Sequence, residues 1–483
     1  MKNKSALILI VTTILTVGYS IYDFQSEKKS EKAHAEQNRL VKFDKDQISE
    51  FEISKTGGTG FVVERSPEGW KIKSPIQETA DQAACQDYID GVVLEQSKDS
   101  VKKGAGIDWK IYGLDQPAGT LSFKINSGQS LKIEVSAKKN FAGDSYLRIQ
   151  GEEQVFLAAA TWLSKTEKRL FAFRDKRILK KSAAQIGFFK YDHGKENFRI
   201  EKKDSQWTAP VKPSWKLDQT RSNEFVYMLN TVNAIDFSKE GVASPNELKE
   251  FGLNKPEFTI EVGLKDQTPS KVVFASNQKK ESFVQTFDPH RILKIASQDM
   301  DKFLKMSLEA FRDRHEPFDF DKTHVKKMHI LNGDLTADFI LKNDDWVVDN
   351  QDKTLDYQVD RPKAILALVR NLEIMDFEPE HGIEKGQGLN QNVQFIDEQG
   401  KIVYEIKFFS TYKKTIEGLP KIYVQAKSST YPSMVGVDEG SFRSIGLESI
   451  VKKKEEKVSE KSSEKPSNKP SEKTPEKPVK NEK

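Results

Sequence analysis

The chain repeats itself, and the period sets what it can fold into. Gly69-Trp70-Lys71-Ile72, Gln206-Trp207-Thr208-Ala209 and Asp345-Trp346-Val347-Val348 place three tryptophans 137 and 139 residues apart. An aspartate follows each one: Asp81, Asp218 and Asp360. A turn comes next, Tyr112-Gly113-Leu114-Asp115-Gln116-Pro117 and then Phe251-Gly252-Leu253-Asn254-Lys255-Pro256, with a weaker version at Gly388-Leu389-Asn390-Gln391-Asn392. Phe173-Arg174-Asp175 and Phe311-Arg312-Asp313 close the first two copies, each arginine 61 or 60 residues past its turn glycine. The third copy ends near Ile450 without that tripeptide. Several independent landmarks keep one register. The period is too long for a solenoid repeat and large enough for a domain. A length of 483 residues agrees with about three domains. The expected domains are 39–180, 181–320 and a degenerate 321–450. Neither join, 174–188 nor 312–328, contains a Gly/Ser linker, so the copies are expected to stack directly on one another.

Each copy reads as α+β. Phe51–Ile53 and Phe61–Val63 flank Gly57-Gly58 as a hairpin, and similar pairs open the other copies. The tryptophan then covers the core. A sugar-stacking role is the functional alternative, but one such residue per copy at a core-like position favours packing. The aspartate is expected to cap a helix, because a carboxylate accepts the free N–H groups of a first turn. Ile89, Val92 and Val93 give the first of these helices one apolar face, as do Phe225, Met228, Leu229 and Val232 in the second and Ile365, Leu366, Leu368, Val369 and Leu372 in the third. Pro362 suits the first turn of the third helix. Capping accounts for the three aspartates better than a catalytic or metal set does. Gly113 and Gly252 are expected to end short helices in a Schellman turn, with the following leucine packing back on Trp109 or Leu248. Pro117 and Pro256 stop the helix from restarting. A β-meander follows, from Thr120 to Leu157, Phe258 to Ile295 and Val393 to Val437. A closing helix, Ala160–Phe173 or Ser297–Phe311, completes the first two copies. The arginine of Phe-Arg-Asp has three structural readings: it binds helix carbonyls, a carboxylate of its own domain, or the next domain. Direct ligand binding is the functional alternative.

The two ends differ from the body. After residues 1–5 comes an apolar run, Ala6–Tyr22, about 25 Å long as a helix and near the lower limit for a bilayer core of about 30 Å. Ala33-His34-Ala35 fits a signal-peptidase site, but a charged stretch separates it from the run. That spacing favours a retained transmembrane anchor over cleavage. The expected location is the cytoplasmic (inner) membrane, single-pass, with the bulk of the chain extracytoplasmic. The tail, 452–483, repeats Ser, Glu, Lys and Pro and has almost no apolar residues, so it is expected to be disordered. It holds 11 Lys and 7 Glu, which accounts for the whole formal charge of +4. The body is therefore neutral, and a nucleic-acid partner is not expected. The tail is either a solubiliser or a loose contact with an anionic surface such as cell wall.

Chemistry is sparse. The single cysteine, Cys85, excludes an internal disulfide framework and a Cys-x-x-Cys pair. His324 and His329 stand five apart, which is not a common zinc spacing. There is no phosphate loop and no Gly-x-Ser-x-Gly elbow. No catalytic, cofactor or metal residue is nominated, and an enzyme, such as an uncharacterised hydrolase, ranks last.

The strand-flanked tryptophan, capped helix, Tyr-Gly-Leu-Asp-x-Pro turn, meander and closing Phe-Arg-Asp resemble the bacterial family known as domain of unknown function 4340. The resemblance is close over Trp70–Asp175, good over Trp207–Asp313 and partial over Trp346–Ile450. It implies an association with ABC-type transport systems likened to gliding-motility auxiliary components, and it supplies no catalytic set. The expected function is a membrane-anchored extracytoplasmic accessory or scaffold of such a complex. The expected partners are the membrane and the ABC permease and ATPase proteins. A cell-wall or glycan-binding module is the alternative.

Overall fold

In the first copy, Phe51 and Ile53 point inward on a strand whose neighbours Glu50 and Glu52 are half-exposed. That alternation is what a sheet with one buried face requires. In this computed structural model, residues 38–58, 60–264, 267–349, 355–379, 390–416 and 418–453 are described, with Phe24 and Glu36. The apolar run 6–22, the turn residues Gly388 and Leu389, and the tail beyond Lys453 lie outside the described residues. Among the described residues no helix is long and apolar enough to cross a membrane. The architecture is mostly β, built on three antiparallel sheets. The chain divides into two compact units, Met1–Gln206 with Thr220–Leu308, and Trp207–Gln219 with Glu309–Lys483.

The first sheet contains β1 (Ile48–Lys55), β2 (Phe61–Ser66), β3 (Gly69–Ser74), β4 (Glu78–Thr79), β5 (Ser97–Lys103), β6 (Gly119–Ile125), β7 (Ser130–Lys139), β8 (Ser145–Ile149) and β9 (Gln154–Ala158). Its order is β4-β3-β2-β1-β6-β7-β8-β9-β5. The opening hairpin and the meander meet where β1 pairs with β6, setting Phe51 opposite Phe123 and Ile53 opposite Leu121. Helix Gln82–Val93 lies over this face. It buries Cys85, Tyr88, Ile89, Val92 and Val93, the spacing of one helical stripe.

The second sheet uses β10 (Phe188–His193), β11 (Glu196–Lys203), β12 (Gln206–Thr208), β13 (Ala234–Glu240), β14 (Phe258–Gly263), β15 (Ser270–Ser276), β16 (Ser282–Phe287) and β17 (His290–Ile295). Within the first unit it runs β11-β10-β14-β15-β16-β17-β13, the order of the first sheet. The third sheet, in the second unit, has β18 (Lys327–Asn332), β19 (Leu335–Lys342), β20 (Asp345–Val348), β22 (Gln391–Ile396), β23 (Ile402–Ile416), β24 (Leu419–Ser428) and β25 (Val435–Asp438), ordered β20-β19-β18-β22-β23-β24-β25. Where β5 and β13 close their sheets, the third has, among the described residues, the bridge Asp376 to Gly436.

Five expectations are corrected. The tryptophan sits on a third strand of the opening meander, not beyond a hairpin. The closing helix is broken: Thr161–Thr166 and then a 3-10 turn Leu170–Phe173, or Ser297–Asp301 and then Leu308–Phe311. The break lets Phe173 turn back into the core, against Phe51 at 5.4 Å. No helix ends at Tyr112; residues 109–113 form hydrogen-bonded turns. Strands β5 and β13 follow the capped helices where no element was expected. The tail does not begin at Lys452, because β26 (Val451–Lys453) pairs with β21 (Leu355–Tyr357). The third copy thus closes by the same backbone path as the others. Ile450 O accepts from Gln358 N, much as Phe173 O accepts from Asp81 N at 2.8 Å.

Candidate functional site: the repeat signature and the joins

Trp70, Asp81 and Arg174 converge. Trp70 is 4% exposed and meets Phe51 edge-on at 5.6 Å, with the Arg65 guanidinium 4.6 Å from its ring centre. Its backbone is gripped by Gln82, whose Oε1 accepts from Trp70 N at 2.6 Å. The Gln82 amide also donates to the carbonyls of Trp70 and Ala80, at 2.9 Å each. The second copy repeats this clamp: Gln219 Oε1 accepts from Trp207 N at 2.7 Å, and its amide donates to the carbonyls of Trp207 and Leu217. The sequence signal for this clamp is the Asp-Gln pair at the helix start, Asp81-Gln82 and Asp218-Gln219. Trp207 and Trp346 are also buried, at 2% and 8% exposed.

Asp81 caps its helix, accepting from Ala84 N at 3.0 Å. Asp218 directly precedes helix Gln219–Thr231. The expectation for Asp360 is corrected. It precedes helix Arg361–Arg370, but its carboxylate makes no capping bond. Its backbone is already helical, φ −80° and ψ −22°, whereas the extended backbone of Asp81 (ψ 109°) aims the side chain at the free N–H groups. Pro362 does occupy the first turn.

Gly113 and Gly252 lie elsewhere, on the meander. In both, the paired bonds of a Schellman turn are present. Leu114 N donates to Trp109 O at 2.9 Å and Gly113 N to Lys110 O at 3.2 Å; Leu253 N donates to Leu248 O at 2.8 Å and Gly252 N to Lys249 O at 3.2 Å. Positive φ values of 66° and 77° explain the glycines. Leu253 packs with Leu248 in a small cluster. Pro117 O accepts from the Thr56 hydroxyl, while Pro256 is exposed past its turn.

The arginine readings resolve into a join. Arg174 Nε donates to Glu78 Oε1 at 2.6 Å within its own copy. Its Nη2 lies 2.5 Å from Glu240 of the next copy, and its guanidinium stacks 3.5 Å from the Phe237 ring centre. Arg291 closes the ring, bonding to Glu78 and, at 2.9 Å, to Glu240. Two arginines and two glutamates alternate, so the buried charges of Arg174, Arg291 and Glu78 each meet an opposite one, with Glu240 half exposed at the rim. Beside them the backbone continues the weld: Ala234 N donates to Lys176 O at 2.7 Å, and Arg177 bridges Asn233. Asp175 is buried and turns the chain by accepting from Arg177 N at 3.2 Å and from its guanidinium. Burial pushes its carboxyl up, but the Arg177 hydrogen bonds and charge outweigh this and hold it below the usual carboxylate range.

Arg312 does the equivalent inside the second unit. Its guanidinium lies 4.2 Å from the Trp215 ring centre and 3.6 Å from that of Phe377, and it donates to Tyr431 Oη at 2.6 Å. Asp313 accepts from His315 N at 2.9 Å and pairs with Lys216 at 3.1 Å. Phe237 and Phe377 each follow the first long helix of the next copy, Gln219–Thr231 or Arg361–Arg370, directly after Asp236 and Asp376. Sequence reading missed Glu78, Glu240, Arg291, Phe237 and Phe377, which belong to no signature tripeptide. His329 pairs with Asp338 at 2.7 Å and His324 with Asp321 at 2.9 Å. Among the described residues no group of three metal-ligating side chains occurs.

These features define a class: antiparallel β-sheet copies of one strand order, with a signature arginine stacked on a phenylalanine inside each compact unit. The chain belongs to the family described as Domain of unknown function (DUF4340), whose model matches residues 93–240 and 226–391. Each matched stretch runs from a capped helix across a join, the first containing Arg174 and Phe237, the second Arg312 and Phe377. No curated protein and no solved structure matches the chain.

Proposed function

We propose that this chain is a membrane-anchored, extracytoplasmic accessory of an ABC-type transport complex that acts by protein contacts. In this reading the apolar segment 6–22 tethers three tandem α+β repeat domains. One observation supports it above others: the signature residues are engaged in packing and joining. Trp70, Trp207 and Trp346 are buried, so none offers a ring face to a sugar. Arg174 and Arg312 are stacked and hydrogen-bonded within the joins. A chain whose repeated residues are taken up by packing is suited to act through its surfaces by protein contacts.

The test is in-cell crosslinking of tagged protein, purification from detergent-solubilised membranes and mass spectrometry. Stoichiometric recovery of ABC permease or ATPase subunits is the expected result. Wall fragments with no transporter subunit would overturn the reading in favour of glycan binding.

A further inference from the structure

We propose that the loop carrying Phe141 is a membrane foot that seats the first repeat on an anionic bilayer. The inference rests on the anchoring reading above and adds a second, non-covalent contact to it. Phe141 is fully exposed, at 106%. It stands in the β7–β8 loop, one residue beyond the Lys138-Lys139 pair, with Asn140 between.

The same loop exists in the second copy, which makes an internal comparison possible. Asn140 N donates to Asp144 O at 2.9 Å and Asn277 N to Glu281 O at 3.0 Å. Asp144 N donates to Asn140 Oδ1 at 2.8 Å and Glu281 N to Asn277 Oδ1 at 3.0 Å. The loop scaffold is thus built by the asparagine and the acid. Its tip differs: Phe141-Ala142-Gly143 in the first copy, Gln278-Lys279-Lys280 in the second. The turn does not require an aromatic residue, so folding does not account for Phe141.

Its placement supplies the occupant. Cross-strand partners run Lys139–Ser145–Ala158–Ser97 along one end of the first sheet. At about 4.8 Å per strand, that row spans about 15 Å. Ser97 Oγ donates to Asn38 O at 3.0 Å, and Arg39 bridges Gln96. The described chain therefore emerges from the N-terminal segment at the sheet end that carries Phe141. Lys98, next to Ser97, pairs with Asp144 of the loop at 2.5 Å. Lys138 Nζ donates to the carbonyls of Lys110 and Ile111, bringing a second exposed apolar residue, Ile111, to this end. Glu95 is held by Lys165 at 2.5 Å. Exposed apolar side chains flanked by lysines match an interface of acyl chains beneath anionic headgroups. The second copy keeps the loop scaffold without this tip.

Environment-sensitive labelling of the full chain tests this. Cys85 is fully buried and burial pushes its thiol up to about 12, so a maleimide dye reports an introduced cysteine. The proteins are F141C and, as control, Q278C, each carrying an NBD label and mixed with vesicles of phosphatidylcholine and phosphatidylglycerol. The expected result is flotation of both, with a blue shift and quenching by spin-labelled lipid for F141C alone. The F141C signal should weaken on phosphatidylcholine alone. Flotation with water-like emission from both labels would overturn the foot while leaving the anchor intact. Burial of the F141C label only in the presence of a co-purifying protein would overturn it in favour of a protein partner. Failure to float would overturn the anchoring reading and the foot with it.

Discussion

Gly252 and Gly113 occupy the same turn but differ in what surrounds them. A Cβ at Gly252 would run into the backbone carbonyl of Ser276, which cannot turn aside. At Gly113 it would meet Ser136 Oγ at 2.7 Å and the flexible Lys138 stem. Gly252→Ala should therefore lose ~3 kcal/mol and Gly113→Ala roughly half of that, read as urea midpoints. Equal losses would contradict the packing argument. Gln82 gives a second case. Gln82→Ala leaves Trp70 N–H and two carbonyls without their side-chain partner and should cost about 2–3 kcal/mol in the same assay. The turn was legible from Gly-Leu-Asx alone, because positive φ and the following leucine are local requirements. The clamp was not, because glutamine beside a cap has no fixed local role. Its partner is twelve residues upstream and meets it only when the strand is in place.

At the scale of elements, strand order was hidden where the residues face solvent. β5 reads Ser-Lys-Asp-Ser-Val-Lys-Lys and is almost wholly exposed. It is an edge strand, and lysines at an edge deter further pairing while removing the apolar alternation that announces a strand. Ala160–Phe173 has the composition of one helix yet breaks after Thr166, because the core demands that Phe173 fold inward. Helix Pro245–Glu250 shows how a short element depends on its cap. Ser244 and Glu247 form a capping box, Ser244 N donating to Glu247 at 2.7 Å. The Lys239 ammonium, hydrogen-bonded to Glu247, and the Ser244 bonds hold its carboxyl down to about 2. The folded value lies below the unfolded one, so this contribution is complete above pH 4.5 and is lost as pH falls from there towards 2. Acid titration of stability should fall less steeply over that window in Glu247→Gln than in the parent. An unchanged slope would show that the cap does not titrate with folding.

At the scale of the whole molecule, the period was readable and the joins were not. Phe-Arg-Asp marks where a copy ends, but Glu78, Glu240 and Arg291 are drawn from distant segments, and nothing local marks them as partners. The absence of a Gly/Ser linker did carry information, because the segment after Arg174 is hydrogen-bonded to the start of β13. The central claim is that Arg174 welds the first two copies into one cooperative body. Scanning calorimetry of the full chain with parallel hydrogen exchange tests it most directly. Removing a buried partner of this kind typically costs about 3–5 kcal/mol. The account predicts that residues 48–295 unfold together in the parent, and that Arg174→Ala splits the transition so that β10–β17 lose protection separately from β1–β9. Two separate transitions in the parent, or an unsplit transition in Arg174→Ala, would contradict it.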